Sequence, residues 1–381
     1  MIKTISASLL TTAMMLTSCS SATTTKSTDT NNDKLLLLTG SYSDAANEGI
    51  NLYEFDQTTG ESRRLTGLKG ISNPSFVIFN ADGTRIYSVG EDPGSSSTVN
   101  TIAFDRDSLT MKLIASSPTG GGAPCHVALS PDGTHVLTAN YMGGSATIYP
   151  LDSLGVPYGE PQVIRFTGTG PDKERQSQPH AHFATFTPDG RHLWVTDLGT
   201  DRIHTFPVTG GKSLIDTTAM ADITVAPKAG PRHVAFHPSL KRAYLIDEID
   251  GQVNVIDIES ASPKIVQRIA ADSVGAEGSG DIHLTPDGRH LYASNRLKAD
   301  GLAIFKVDRE TGLLTRTGYQ PTAPHPRNFA ITPNGRFLLL ASRDGNVIEI
   351  YSIDPETGVL TPTDKSISTS KPVCLKFFPR G

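Results

Sequence analysis

The sequence predicts an all-β fold, a seven-bladed β-propeller whose ring is closed by strands from both ends of the chain. Three observations predict it. Short β-rich runs alternate with Gly, Pro, Asn and Asp turns, the chain holding 35 glycines and 25 prolines, and few stretches show a helical period. One strand–turn–strand unit recurs at intervals of roughly 45 to 57 residues. Each interval has room for about four short strands, which is one propeller blade.

Taken in order, the chain opens on a targeting segment. Lys3 gives a positive start, and Ile5 to Leu16 form an apolar stretch too short to span a bilayer. Leu16-Thr-Ser-Cys19 then matches a bacterial lipobox, so residues 1–19 are expected to be a lipoprotein signal peptide with Cys19 as the lipid attachment site. Residues 20–34 are rich in Ser, Thr and Asn and have nothing to bury, as in a disordered tether. The propeller is expected over 35–381, with no composition break to mark a second domain. The expected location is the cell envelope, with the N-terminal lipid as the membrane contact.

Net charge is −5 and no basic tract stands out, which argues against a nucleic-acid partner. Beyond Cys19 only Cys125 and Cys374 remain, too few for a disulfide framework or a cysteine-built zinc site.

The repeat units begin with Asn73-Pro-Ser-Phe-Val-Ile-Phe-Asn-Ala-Asp-Gly83 and Pro124-Cys-His-Val-Ala-Leu-Ser-Pro-Asp-Gly133. Units starting at His180, Pro231, Gly280 and Pro326 follow, and Lys371-Pro-Val-Cys-Leu-Lys-Phe-Phe-Pro-Arg-Gly381 ends the chain. That last unit has only its first strand. Leu35-Leu-Leu-Leu-Thr and Ile50-Asn-Leu-Tyr-Glu-Phe, ahead of the first full unit, can supply what it lacks and so hide the edges of an open ring. Cys125 and Cys374 then fall in blades two and seven, too far apart in the ring to pair.

In a propeller the first strand of each blade lines the axial channel, and an antiparallel hairpin returns the chain to the side it left. Residues just before strand one and just after strand two therefore gather at one mouth. That rule collects His126, Asn140 and Tyr141 from blade two, His180, His182 and Asp197 from blade three, and Arg232, His233 and Glu248 from blade four. Blade five adds Asp281, His283, Asn295 and Arg296, and blade six adds His325, Arg327 and Asn328. More than half of the 11 histidines are in this set, which marks the mouth as a candidate site. Plain structural roles compete with functional ones. Asp197 and Asn140 suit turn caps, His126, His283 and Asp281 suit satisfied polar groups inside the channel, and Arg232–Glu248 suits a structural ion pair. His180 and His182 alternate along an extended chain, so one faces the axis and the other buttresses it. The Pro-Asp-Gly turns read as turns, and Asp201-Arg202 as solvated loop charges.

Pro179-His-Ala-His182, Asp197-Leu-Gly-Thr-Asp-Arg-Ile203, Gly230-Pro-Arg-His233, Ser294-Asn-Arg296 and His325-Pro-Arg-Asn-Phe329 resemble the motifs of the seven-bladed-propeller lactonases. That family includes a bacterial 6-phosphogluconolactonase and is similar to the fungal carboxy-cis,cis-muconate cyclase. The resemblance covers about residues 35–381 and implies a lactonase acting on a sugar lactone, such as 6-phospho-D-glucono-1,5-lactone, without a cofactor or metal. It implies His182 (or His180, since the motif offers two), Arg232, Glu248 and Arg296 as the catalytic set, with His126, Asn140, His180, His233, His283 and Arg327 around the substrate. Histidine suits the activation of water, and the arginine fork suits an oxyanion or a substrate anion. Glu248 is expected to orient the histidine or Arg232, or to be the base. The rival readings are a carboxylate-caged metal lactonase, a non-catalytic propeller binding anionic sugars or peptides, and a cyclase-like enzyme that forms lactones.

Overall fold

The computed structural model describes residues 33–379 and residue 1, apart from 211–212, 261, 272–273 and 276. The lipobox with Cys19 and nearly all of the tether lie outside the described residues. Within them the chain forms seven four-stranded antiparallel sheets, the blades of the expected propeller. The innermost strands of blades one to six are Val77–Phe79, Pro124–Leu129, Ala181–Phe186, Pro231–Phe236, Ser279–Leu284 and Pro326–Ile331.

Blade seven is composite. Its innermost strand, Pro372–Pro379, pairs antiparallel with Lys34–Ser41, which in turn pairs with Ile50–Asp56. The two ends of the chain thus close the ring as the sequence predicts, and the second strand of the last blade is covered and not left as an open edge.

Burial is highest in the second strand of each blade and falls outward from there. The second strand of blade six, Phe337–Ser342, is buried along its whole length because neighbouring blades cover both of its faces. The outermost strand of blade one, Thr110–Pro118, alternates exposed and half-buried residues. The apolar core is therefore a set of clusters between adjacent blades; Leu137, Val195 and Phe206, for example, fill the gap between blades two and three. Cys125 and Cys374 are buried free thiols.

The Pro-Asp-Gly segments are turns and nothing more. Asp132, Asp189 and Asp287 each accept the backbone N–H two residues on, at 3.1 Å, and Gly133, Gly190 and Gly288 take φ near +70°. In blade four His237 does this work, its Nδ1 accepting from the backbone of Ser239 and Leu240.

A β-bulge at the start of the inner strand recurs in blades two to six, for example between Pro231 and His233. Strict alternation would aim every second residue at the axis. The bulge instead turns two consecutive residues inward and stacks them as two rings. Ser75, Cys125, His182, Arg232, Arg327 and Val373 form the ring nearest the mouth. Phe76, His126, Phe183, His233, Asp281 and Asn328 form the next.

Candidate active site

The mouth ring is joined by the residues that follow each second strand. Glu248 comes directly after Arg242–Asp247, and Arg296 directly after His290–Asn295. The hairpin rule therefore places Arg232 and Glu248 together, 16 positions apart in sequence, and Arg232 Nη1 donates to both Glu248 Oε2 and His182 Nε2. Arg296 Nη2 lies 3.4 Å from the same Oε2, and Arg175 Nη2 donates to Oε1 at 2.5 Å. Three guanidiniums and one imidazole thus converge on a single buried carboxylate.

Backbone carbonyls aim the arginines. Arg232 Nε donates to Gly280 O at 2.6 Å, and Arg296 donates through Nε and Nη2 to Gly278 O and Ser279 O at 2.7 and 2.8 Å. With their inner N–H groups occupied, both forks point into the mouth. Burial alone would raise the Glu248 pKa, but Arg232, Arg296, His182 and Arg175 outweigh it and hold the carboxyl well below 4.5. Burial, reinforced by Arg232 and His233, holds the His182 imidazole well below 6.5, so it is neutral. Because Arg232 can only donate, His182 Nε2 accepts and its proton sits on Nδ1.

His180 is the buttress. It stacks on Tyr141 at 4.3 Å, and its Nδ1 donates to the Tyr141 carbonyl at 3.0 Å. Asp197 is a cap, accepting the backbone N–H groups of His180 and Gly199 at 2.7 and 3.0 Å. Asn140 is wholly buried inside blade two, where Thr138, Ser145 and Thr147 take its amide. His126 and His233 belong to the second ring, and His283 lies deeper still, lining the other half of the channel with Lys376. His126 is sandwiched between Phe76 and Phe183, with centroids 4.2 and 4.1 Å away.

Asp201 corrects an expectation. It is a buried hub and not a solvated charge, taking the Gln176 side chain at 2.7 Å and the backbone N–H groups of Lys228 and Gly230 at 2.9 Å. It ties the loop that carries Arg175 to the strand that carries Arg232.

Sequence reasoning missed three contributors. Arg175 sits in the 166–180 connection between blades two and three, outside the repeat, where no periodic signal exists. Glu91 and Tyr42 follow second strands of their sheets and could have been found by extending the hairpin rule to blades one and seven. Tyr42 Oη donates to both Glu91 oxygens at 3.0 Å, Ser75 Oγ also donates to Glu91, and Arg327 lies 5.3 Å over the Tyr42 ring. Burial raises the Glu91 pKa against the pull of Arg327.

Among the described residues no group of three or more His, Cys, Asp or Glu side chains has the geometry to hold a metal ion. The carboxylates a cage would need are committed elsewhere: Asp197 to backbone N–H groups, Glu248 to arginines, and Asp281 to His233, His283 and Asn328.

Fold and site together define a seven-bladed β-propeller with a cationic axial mouth. The chain belongs to the lactonase family of 7-bladed β-propellers, whose family model matches residues 36–377. It is similar to the 6-phosphogluconolactonase of Formosa agariphila, 33% identical over 349 residues that span 90% of this chain and 99% of that one. The 6-phosphogluconolactonase of Bacillus subtilis is 32% identical over 89% of this chain and 97% of its own. Among solved structures, the Pseudomonas aeruginosa periplasmic gluconolactonase PpgL superposes with a TM-score of 0.84 at 28% identity, covering 90% of this chain and 99% of that one. A Bacteroides fragilis protein reaches a TM-score of 0.88 at 45% identity, over 92% and 99%.

Proposed function

We propose that this lactonase hydrolyses a sugar lactone of the 6-phosphogluconolactone kind at the Arg232 mouth, using only its own side chains. The observation that carries the reading is the convergence of His182, Arg232 and Arg296 on the one carboxylate of Glu248. His182 Nε2 takes a proton from water as the water oxygen bonds to the lactone carbonyl carbon. Arg232 Nη1 turns from His182 to the oxyanion, and Arg296 adds a second cation. Glu248 stays ionised and keeps the guanidiniums in place. Collapse of the tetrahedral intermediate breaks the ring C–O bond, and the leaving oxygen takes its proton from His182.

Arg327, lying over Tyr42, anchors the anionic end of the substrate, with His180 and Tyr141 forming the opposite wall. Arg175, Arg232, Arg296 and Arg327 outnumber Glu91 and Glu248, which favours an anionic ligand. An anion bound there offsets Arg232 and Arg327 and so raises the proton affinity of His182 when it must act as base. Assay against glucono-1,5-lactone and its 6-phosphate tests the reading. Hydrolysis of at least one at rates well above the spontaneous reaction is expected; binding of sugar acids with no acceleration of any lactone would instead make this a non-catalytic binding disc.

We place the protein in the cell envelope, lipidated on Cys19. The signal-like segment and lipobox support this, as does the likeness to a periplasmic gluconolactonase. The intact mass of the mature protein is expected to show a diacylglyceryl-modified N-terminal cysteine, and an unprocessed N-terminus would contradict it.

A further inference from the structure

Acting as a base makes His182 a cation, and its second nitrogen then needs a fixed acceptor, as in other catalytic histidines held by a third group. His182 Nδ1 is buried and has no hydrogen-bond partner among the described residues, and the same is true of His233 Nε2. Their rings are 5.3 Å apart between centroids and inclined at 61°. Both line an axial cavity of about 10 Å³, which is room for about one water.

The proton positions are complementary. Arg232 donates to His182 Nε2, which leaves the proton on Nδ1. His233 Nδ1 lies 2.7 Å from Asp281 Oδ1, a carboxylate that can only accept, so the proton is on Nδ1 and Nε2 carries a bare lone pair. Asp281 is itself held firmly: His283 Nε2 donates to Oδ2 at 2.9 Å, the Asn328 amide donates to the same oxygen, and the Ile282 N–H donates to Oδ1 at 2.9 Å.

The geometry points to His233 and Asp281 as the positioning arm of His182. Asp281 holds His233 with Nε2 free, and that nitrogen accepts the Nδ1 proton of His182, directly or through one water, stabilising the imidazolium formed during attack. The Nδ1 proton never leaves His182; the proton exchanged with substrate moves only through Nε2. The arm runs along the axis from ring to ring, which gives a function to a buried His–Asp pair that touches no substrate. It rests on the reading of His182 as the base.

The other charged or titratable groups around the arm are Arg232, Glu248, Arg327 and Tyr141 about His182, His126 and Arg232 about His233, and His283 about Asp281. Loss of Asp281 or of the His233 acceptor removes stabilisation of the cation, so the proton affinity of His182 falls.

The test compares H233F, D281N and H182N in the full-length protein, reading kcat, KM and the pH dependence of kcat. Phenylalanine already occupies the ring-two position in blades one and three, as Phe76 and Phe183, so H233F keeps the packing. H233F and D281N are expected to lower kcat by about 100-fold, with KM within about twofold and the acidic limb moved to lower pH. Wild-type-like kcat, or a fall in kcat with the acidic limb unmoved, overturns the arm. If D281N does not fold, H233F decides alone. An active H182N removes the base reading itself, whereas an inactive H182N beside a wild-type-like H233F removes only the arm.

Discussion

Glu248 illustrates how much chemistry one buried side chain can organise. An isolated carboxylate in this position would be neutralised by burial, and three guanidiniums would repel one another without it. Glu248→Gln should therefore cost both function and stability. We expect kcat/KM to fall by about 100-fold or more and the melting temperature to drop; an unchanged melting temperature would mean the cluster does not hold the mouth together.

The axial histidines set the acid stability at the same scale. His126 and His182 are held well below 6.5, and His233 is lowered to about 4, in each case first by burial. The unfolded chain binds protons near pH 6.5 that the folded chain refuses, so stability is complete above that value and drains away as pH falls towards about 4. Glu248, depressed below its ordinary 4.5, adds a further loss at still lower pH. A thermal-melt series should be flat above pH 7 and fall steadily below about 6.5, and a flat profile down to pH 5 would contradict the neutral, buried imidazoles.

At the scale of the element, the recurring bulge explains what was and was not legible. Turn glycines and strand spacing gave away every blade, and the hairpin rule brought Arg232, Glu248, His182 and Arg296 to one mouth. The depth of each residue was hidden. A bulge turns two successive residues inward and has no signature in the residue pattern, so His126, His233 and His283 read as mouth residues although they sit one or two layers down. Arg175 was hidden because a non-repeating loop carries it, and Asp201 because its polarity concealed its partners.

Gly280 tests the bulge in blade five. A Cβ there would come within 2.5 Å of Ser294 Oγ and 2.8 Å of Pro326 O, and the Gly280 carbonyl also receives Arg232 Nε. Gly280→Ala should therefore shift the bulge and misaim Arg232, lowering kcat by about tenfold or more along with the melting temperature. Wild-type kinetics in that variant would show that the carbonyl does not position the guanidinium.

For the whole molecule, closure by Pro372–Pro379 against Lys34–Ser41 makes the ring a single cooperative object. This was readable because a seventh unit with one strand, and two apolar runs with no unit of their own, have one mutual solution. Removing residues 372–379 would bare the second strand of blade seven and leave a gap beside blades one and six. We expect that truncation to aggregate or to lose its cooperative melt, in contrast to the point variants at the mouth.

The central claim is that side chains from separate blades meet on the axis to form one lactone-hydrolysing centre. Its most direct test is the steady-state rate of the Arg232→Ala variant on the best lactone, with a melt to confirm folding. The account predicts a folded propeller with turnover reduced by about 100-fold or more. A folded variant that turns over like wild type would place the chemistry elsewhere.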